Sequence, residues 1–172
     1  GPFGPGPGAD DDTPTVSITA TDDNAVEGTT NNTAVFTVSQ TLASEGDTTV
    51  DINLSLGTVE STDIASISYT DASGTLQTLS TQVAINAFVA GGDSVNITAG
   101  NTDAPVITIT FADDVLYEGS ETLSVAASNP TNPLGAITLG SASDTATIFD
   151  EDSSDPTDPT PGDDLGDATS FS

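Results

Sequence analysis

Val50-Asp51-Ile52-Asn53-Leu54-Ser55-Leu56 alternates apolar and polar residues without a break. A period of two puts Val50, Ile52, Leu54 and Leu56 on one face of an extended chain and Asp51, Asn53 and Ser55 on the other, the pattern of a half-buried strand. The same rhythm recurs on both sides of this run. Val16, Ile18 and Ala20 alternate with Ser17 and Thr19, and Ala34, Phe36 and Val38 follow. Ile107, Ile109 and Phe111 alternate with Thr108 and Thr110; then come Leu123, Val125 and Ala127, and finally Ala146 and Ile148. Clusters of Gly, Asn and Asp separate the runs, and no stretch carries a convincing helical stripe. Threonine is abundant, and β-branched side chains suit a pleated surface. Seven or more such strands predict an all-β chain folded as an antiparallel β-sandwich.

The runs span residues 14–152, enough for one domain of about 140 residues. Residues 1–13, GPFGPGPGADDDT, read as an extended Pro/Gly-acidic tail. Residues 153–172, SSDPTDPTPGDDLGDATSFS, read as a Pro/Asp-rich tail or linker. Phe3 and Phe171 are lone aromatics in these tails, each a candidate anchor for a neighbouring subunit. The run 64–93, IASISYTDASGTLQTLSTQVAINAFVAGGD, alternates only weakly and reads as one or two added strands or a long ordered loop. The chain starts at Gly1 and not Met, which reads as a mature or excised product.

The 172 residues include no Lys, Arg or His against 27 Asp and Glu, a formal charge of −27. An ordinary chain of this length carries roughly 20 basic residues. Binding nucleic acid through its phosphates needs cations, as does attraction to anionic lipid, so both are excluded as partners. No apolar run approaches the length of a membrane span, so no membrane insertion is expected. Ser-His, Cys-His and zinc-histidine sites cannot be built. With no Trp and only Tyr69 and Tyr117, no aromatic sugar cleft supports a carboxylate-pair hydrolase, and no enzyme activity is expected. A small extracellular domain lacking Cys commonly takes a metal as its staple.

The acids fall at strand ends and not on strand faces. Asp22, Asp23 and Glu27 lie in TDDNAVEG, Asp63 follows the strand ending at Leu56, Asp113, Asp114, Glu118 and Glu121 lie in FADDVLYEGSE, and Asp150, Glu151 and Asp152 close TIFDED. Alternate strand ends of an antiparallel sandwich share a pole, so these groups are expected to converge. Two carboxylates 4 Å apart repel by about 4 kcal/mol at an effective dielectric of 20. Calcium relieves this, since it accepts about 6–8 oxygen ligands in flexible geometry. An all-oxygen donor set disfavours zinc and copper.

These residues carry a resemblance. ATDDNAVEG with AVFTVS, DDVLYEGSETLSV, and ATIFDED some thirty residues later together resemble the Calx-beta domain family, over about residues 14–152. That family is known from the calcium-binding regulatory domains of sodium–calcium exchangers and from large bacterial surface proteins. The resemblance implies a seven-stranded immunoglobulin-like sandwich with Ca2+ at one pole. It implies as ligands Glu27, Asp63, Asp113, Asp114, the carbonyl of Leu116, Glu118, Glu121, Asp150, Glu151 and Asp152. Two departures stand out. Asp63 is followed by Ile64 where the family usually has Tyr, and Glu151 stands where it often has Asp. About 25 additional residues then intervene before the turn at Ala99–Asn101, which makes the 64–93 insert a candidate interaction surface.

The expectation from the sequence is an extracellular or cell-surface, calcium-binding structural or adhesive protein. It would partner itself, as a self-assembling surface filament subunit or as one module of a large adhesin. The alternatives are a calcium-sensing regulatory module, or a domain binding a glycan or another surface ligand through the 64–93 insert.

Overall fold

A computed structural model of the protein describes residues 13–113 and 119–150. The two tails, apart from Thr13, lie outside the described residues, and Phe3 and Phe171 with them. In chain order the elements are β1 (Thr15–Asp22), β2 (Asn24–Val26), β3 (Thr33–Gln40), β4 (Thr48–Ser55), a 3-10 turn (Ser61–Asp63), β5 (Ile64–Thr70), β6 (Leu76–Leu79), α1 (Gln82–Gly91), β7 (Asp93–Ile97), β8 (Ile107–Phe111), β9 (Glu121–Thr131), β10 (Thr138–Leu139) and β11 (Ser143–Phe149). They form two sheets, of order β10-β1-β3-β8-β5-β6 and β2-β11-β9-β4-β7.

The alternating runs become strands with their apolar residues facing inward. Val50, Ile52 and Leu54 of β4 are buried beside exposed Asn53 and Ser55. Ile18, Phe36, Ile67, Ile107, Ile109, Phe111, Leu123 and Ile148 join them in one continuous core between the sheets. Removing this apolar surface from water is the main favourable term in folding.

The sheets are not antiparallel throughout. β10 runs parallel to β1, with Thr15 opposite Thr138, and β2 runs parallel to β11, with Val26 opposite Phe149. The cause is one strand that changes sheet. β1 pairs with β3, its register slips between Ala20 and Asp22, and two residues after Asp22 the chain pairs with β11 in the other sheet. Such bulges redirect strands at sheet edges. The strand count also exceeds seven, because short edge pieces and the 64–93 run add to the expected set.

That run corrects the sequence reading most. Ile64–Thr70 and Leu76–Leu79 form an antiparallel hairpin, and a helix follows where no helical stripe was expected. Thr81 caps α1, its hydroxyl accepting from the Ala84 amide at 3.2 Å, which satisfies one of the helix's unpaired N-terminal donors. Ile85 and Phe88, three apart and so on one face, are the buried residues of the helix. The helix carries the chain from β6 at the edge of one sheet to β7 at the edge of the other, lying against β4 and β5 and closing that side of the sandwich.

Gly92 ends α1 at φ +67, where a Cβ would stand 2.2 Å from the Ile52 carbonyl oxygen. Gly91 beside it has open space. Gly92→Ala is expected to cost about 2–3 kcal/mol through strain and clash. Gly91→Ala is expected to gain up to about 1 kcal/mol through unfolded-state entropy. Urea unfolding of the two variants checks this; equal effects would contradict the role given to Gly92.

Candidate functional site

The strand directions bring the acidic groups among the described residues to one end of the sandwich. β1, β2, β4, β8 and β11 finish there, and β3, β5 and β9 start there, as the pairings Asp22–Val35, Thr33–Thr110, Ile64–Phe111, Ser55–Ser124, Glu121–Ile148 and Val26–Phe149 require. Glu27 and Asp150 each follow the last paired residue of two parallel neighbours, and the Glu27 amide donates to the Phe149 carbonyl at 2.9 Å. Asp63 precedes Ile64, which pairs with Phe111, so it lies beside the chain leading to Asp113; the Ala112 amide donates to its carbonyl at 2.8 Å. Glu121 begins β9 opposite Ile148, two residues before Asp150.

Backbone bonds between connections hold this end together. The Val26 amide donates to the Asn31 carbonyl at 2.7 Å, and the Phe111 amide to the Asn32 carbonyl at 2.9 Å. The Asn32 side chain donates to the Phe111 carbonyl at 3.3 Å. Thr122 and Thr58 exchange two bonds, one through the Thr58 hydroxyl. Gly57, at φ +60, lets the chain after β4 approach so closely that a Cβ there would meet the Thr122 oxygen at 2.4 Å. Asn32 was not among the site residues expected from sequence. Its role shows only once β3 and β8 are neighbours, since nothing local to the Asn31-Asn32 pair marks it.

Burial separates the acids. Glu27 and Asp150 are each 1% exposed and Asp63 is 7% exposed. Asp113 is exposed and Glu121 is intermediate. One oxygen of Asp63 fixes its own turn, accepting from the Glu60 amide at 2.9 Å. Asp114, Leu116, Glu118, Glu151 and Asp152 lie outside the described residues. Among the described residues, no group of three or more acidic side chains stands close enough to hold a metal ion.

The acids away from this pole are served by uncharged donors. Asp51 accepts from the Ser94 hydroxyl at 2.7 Å and the Asn129 amide at 3.1 Å, bonds that hold its carboxyl below the usual value. Asp144 accepts from the Ala20 amide at 2.8 Å, and Asp47 from the Ala99 amide at 2.9 Å. Asp71 organises the β5–β6 turn, accepting from the amides of Thr75 and Ser73, the Gln77 side chain and the Ser73 hydroxyl at 2.8–3.0 Å. These bonds, that of Thr75 first, hold its carboxyl at about 2.

No protein-family model and no curated protein sequence matches the chain. Solved structures do match. The CBD12 structure from CALX1.2 aligns with a TM-score of 0.55 at 15% identity, over 80% of this chain and 46% of that one. The apo-form Calx CBD1 domain gives 0.51 at 14% identity over 79% of this chain and 97% of that domain. The Calx CBD2 domain gives 0.51 at 10% identity, over 77% and 85%. The chain therefore spans less than half of the CBD12 structure and nearly all of CBD1. At these identities the likeness establishes the fold, a β-sandwich of the Calx-beta kind.

A carboxyl lowered on folding contributes stability that is complete above its unfolded pKa and is lost as pH falls through its folded one. Asp71 therefore stabilises the hairpin turn above pH 3.8 and ceases to do so towards pH 2. Asp71→Ala is expected to be less stable at pH 7, with the gap from the parent closing between those two values. Denaturant unfolding across that range measures it, and carbon-detected NMR titration reads the carboxyl directly. An ordinary titration near 3.8 would remove the assignment.

Proposed function

We propose that the chain is a calcium-binding β-sandwich module whose acidic pole is completed by the ion. The observation that carries this reading is the burial of Glu27, Asp63 and Asp150 at one pole of a chain with no basic side chain. Taking a carboxylate out of water costs several kcal/mol unless it is balanced. With no basic side chain in the 172 residues, the balance has to come from neutral donors, a proton or a bound cation. The donor set is hard oxygen throughout, which suits calcium. Glu27, Asp113, Glu121 and Asp150, joined by Asp114, the Leu116 carbonyl, Glu118, Glu151 and Asp152, would hold the ion, with Asp63 contributing from its turn. The fold likeness to Calx calcium-binding domains, one of them described as the calcium binding domain CBD12 of CALX1.1, supports the same reading. The ion would supply positive charge that ties the 113–121 segment to the ends of β2 and β11. Calcium-responsive stiffening of a module within a larger assembly is the role this fits best.

A second reading, an extracellular filament subunit or adhesin module, draws on the path of the chain. It enters β1 at the pole opposite the acids and leaves β11 at Asp150 inside the acidic pole. Copies or modules joined end to end would each carry an ion at the junction. Calcium-dependent fibres in negative-stain images would favour it, and a strict monomer by light scattering at high calcium would sink it.

At calcium about 100-fold above Kd, one site adds about 2.7 kcal/mol, a rise in Tm of roughly 5–11 °C for a chain of this size over the value in EDTA. Glu27→Gln and Asp150→Asn are each expected to cut that rise by half or more. In EDTA the same two variants should melt no lower than the parent, because each removes a buried like charge. Melting curves followed by circular dichroism read both effects. A Tm indifferent to calcium would reject the proposal.

A further inference from the structure

The side of the sandwich closed by α1 carries a pocket well apart from the acidic pole in character. It has a volume of about 250 Å³ and is lined by Tyr69, Leu79, Ala84, Ala87, Phe88 and Gly92. Sites for whole small molecules typically run from about 300 to 1,000 Å³, so this one suits a single side chain. Its inner wall is aromatic: the Tyr69 and Phe88 rings lie 5.1 Å apart, tilted by 43°. Its rim is negative. The Tyr69 hydroxyl donates to Asp93, which lies exposed at the start of β7. Burial, that hydrogen bond and the nearby charges, Asp93 before Asp71, together push the Tyr69 hydroxyl strongly up. Val83, one turn before Ala87 on the helix, is 81% exposed and extends the apolar surface beside the pocket.

An aromatic interior beside the Asp93 carboxylate complements a cation on an apolar stem. The 172 residues contain no Lys, Arg or His, so none of their side chains can fill that role. We propose that this pocket receives one arginine side chain of a different protein. Arginine fits better than lysine because its planar, weakly hydrated guanidinium stacks on aromatic rings and pairs with carboxylates through several donors. Asp93, steadied by the Tyr69 hydroxyl and by the Ser94 amide at 2.8 Å, is the anchoring acid. The proposal is independent of calcium.

The test is an amide-shift NMR titration of the full chain with the peptide Gly-Gly-Arg-Gly-Gly-amide, against the same peptide carrying lysine or citrulline. It is run with calcium present at about 0.15 M salt, where exposed charges more than about 8 Å apart are screened. The expected result is a set of shifts centred on Ala84, Ala87 and Gly92, with arginine binding tightest and citrulline weakest. Ala87→Leu, at an exposed helix position, fills the mouth, and Asp93→Asn removes the anchoring charge. Each is expected to weaken the arginine peptide about tenfold with Tm little changed. Shifts spread over the acidic surface and untouched by Ala87→Leu would reduce the effect to general charge attraction and overturn the proposal. Equal binding of citrulline or lysine, or none by arginine, would overturn it as well.

Discussion

Every carboxylate that this chain takes out of water has to be balanced without a basic side chain. In most proteins an arginine or lysine does that work, and the pair can sit wherever packing allows. Here neutral donors, a proton or a bound cation remain. A single carboxylate is met by neutral donors. Asp71 draws on two amides, a hydroxyl and a glutamine side chain, and Asp51 on a hydroxyl and an asparagine. Several carboxylates brought to one place exceed what neutral donors can offset, since their mutual repulsion adds to each desolvation cost. Glu27, Asp63 and Asp150 are buried at one end of the sandwich, and under the reading proposed above a divalent cation would be the counterweight there.

The pole itself depends on the strand that changes sheets. Had β1 continued straight in its first sheet, Glu27 would not lie beside the end of β11. The slip between Ala20 and Asp22 and the parallel pairing of Val26 with Phe149 set Glu27 next to Asp150 at the ends of neighbouring strands of the second sheet. The Thr147 amide, bonded to the Asp23 carbonyl at 2.9 Å, fixes the crossing. An acid-lined pole is thus a consequence of topology as much as of composition.

The period-two runs revealed the sandwich because a half-buried strand shows one wet and one dry face, as β4 and β8 do. The same runs marked the strand ends, and Glu27, Asp63, Asp113, Glu121 and Asp150 fall at one end of the sandwich, although among the described residues no three acids stand close enough to hold a metal ion. What stayed hidden has physical reasons. β2 and β10 have three and two residues, too short for any period to register. The helix buries only Ile85 and Phe88, a stripe too narrow to stand out among small residues. Its ends were nevertheless written in the chain, with Thr81 as cap and the Gly91-Gly92 pair as stop. Asn32 and the Tyr69–Asp93 contact join residues from separate strands, which no local pattern reports.

The same lack of basic residues bears on the sheet edges. Proteins often guard an edge strand with lysine, whose charge discourages another chain from pairing there. This chain has to cover its edges instead. Along β1, the Thr138, Gly140 and Ser141 backbone bonds to Pro14, Val16 and Ile18, and the Asp144 carboxylate takes the Ala20 amide that follows. On the far side, α1 bridges β6 and β7, and both edge strands there are short. The helix in the 64–93 run therefore has a structural reason to exist before any ligand is considered. The pocket beneath it arises because a helix laid across the open side of a sandwich leaves a gap wherever its residues are small, as Ala84 and Ala87 are. The covering element thereby creates an aromatic pocket beside the Asp93 carboxylate, a place suited to a cation that these 172 residues do not themselves carry.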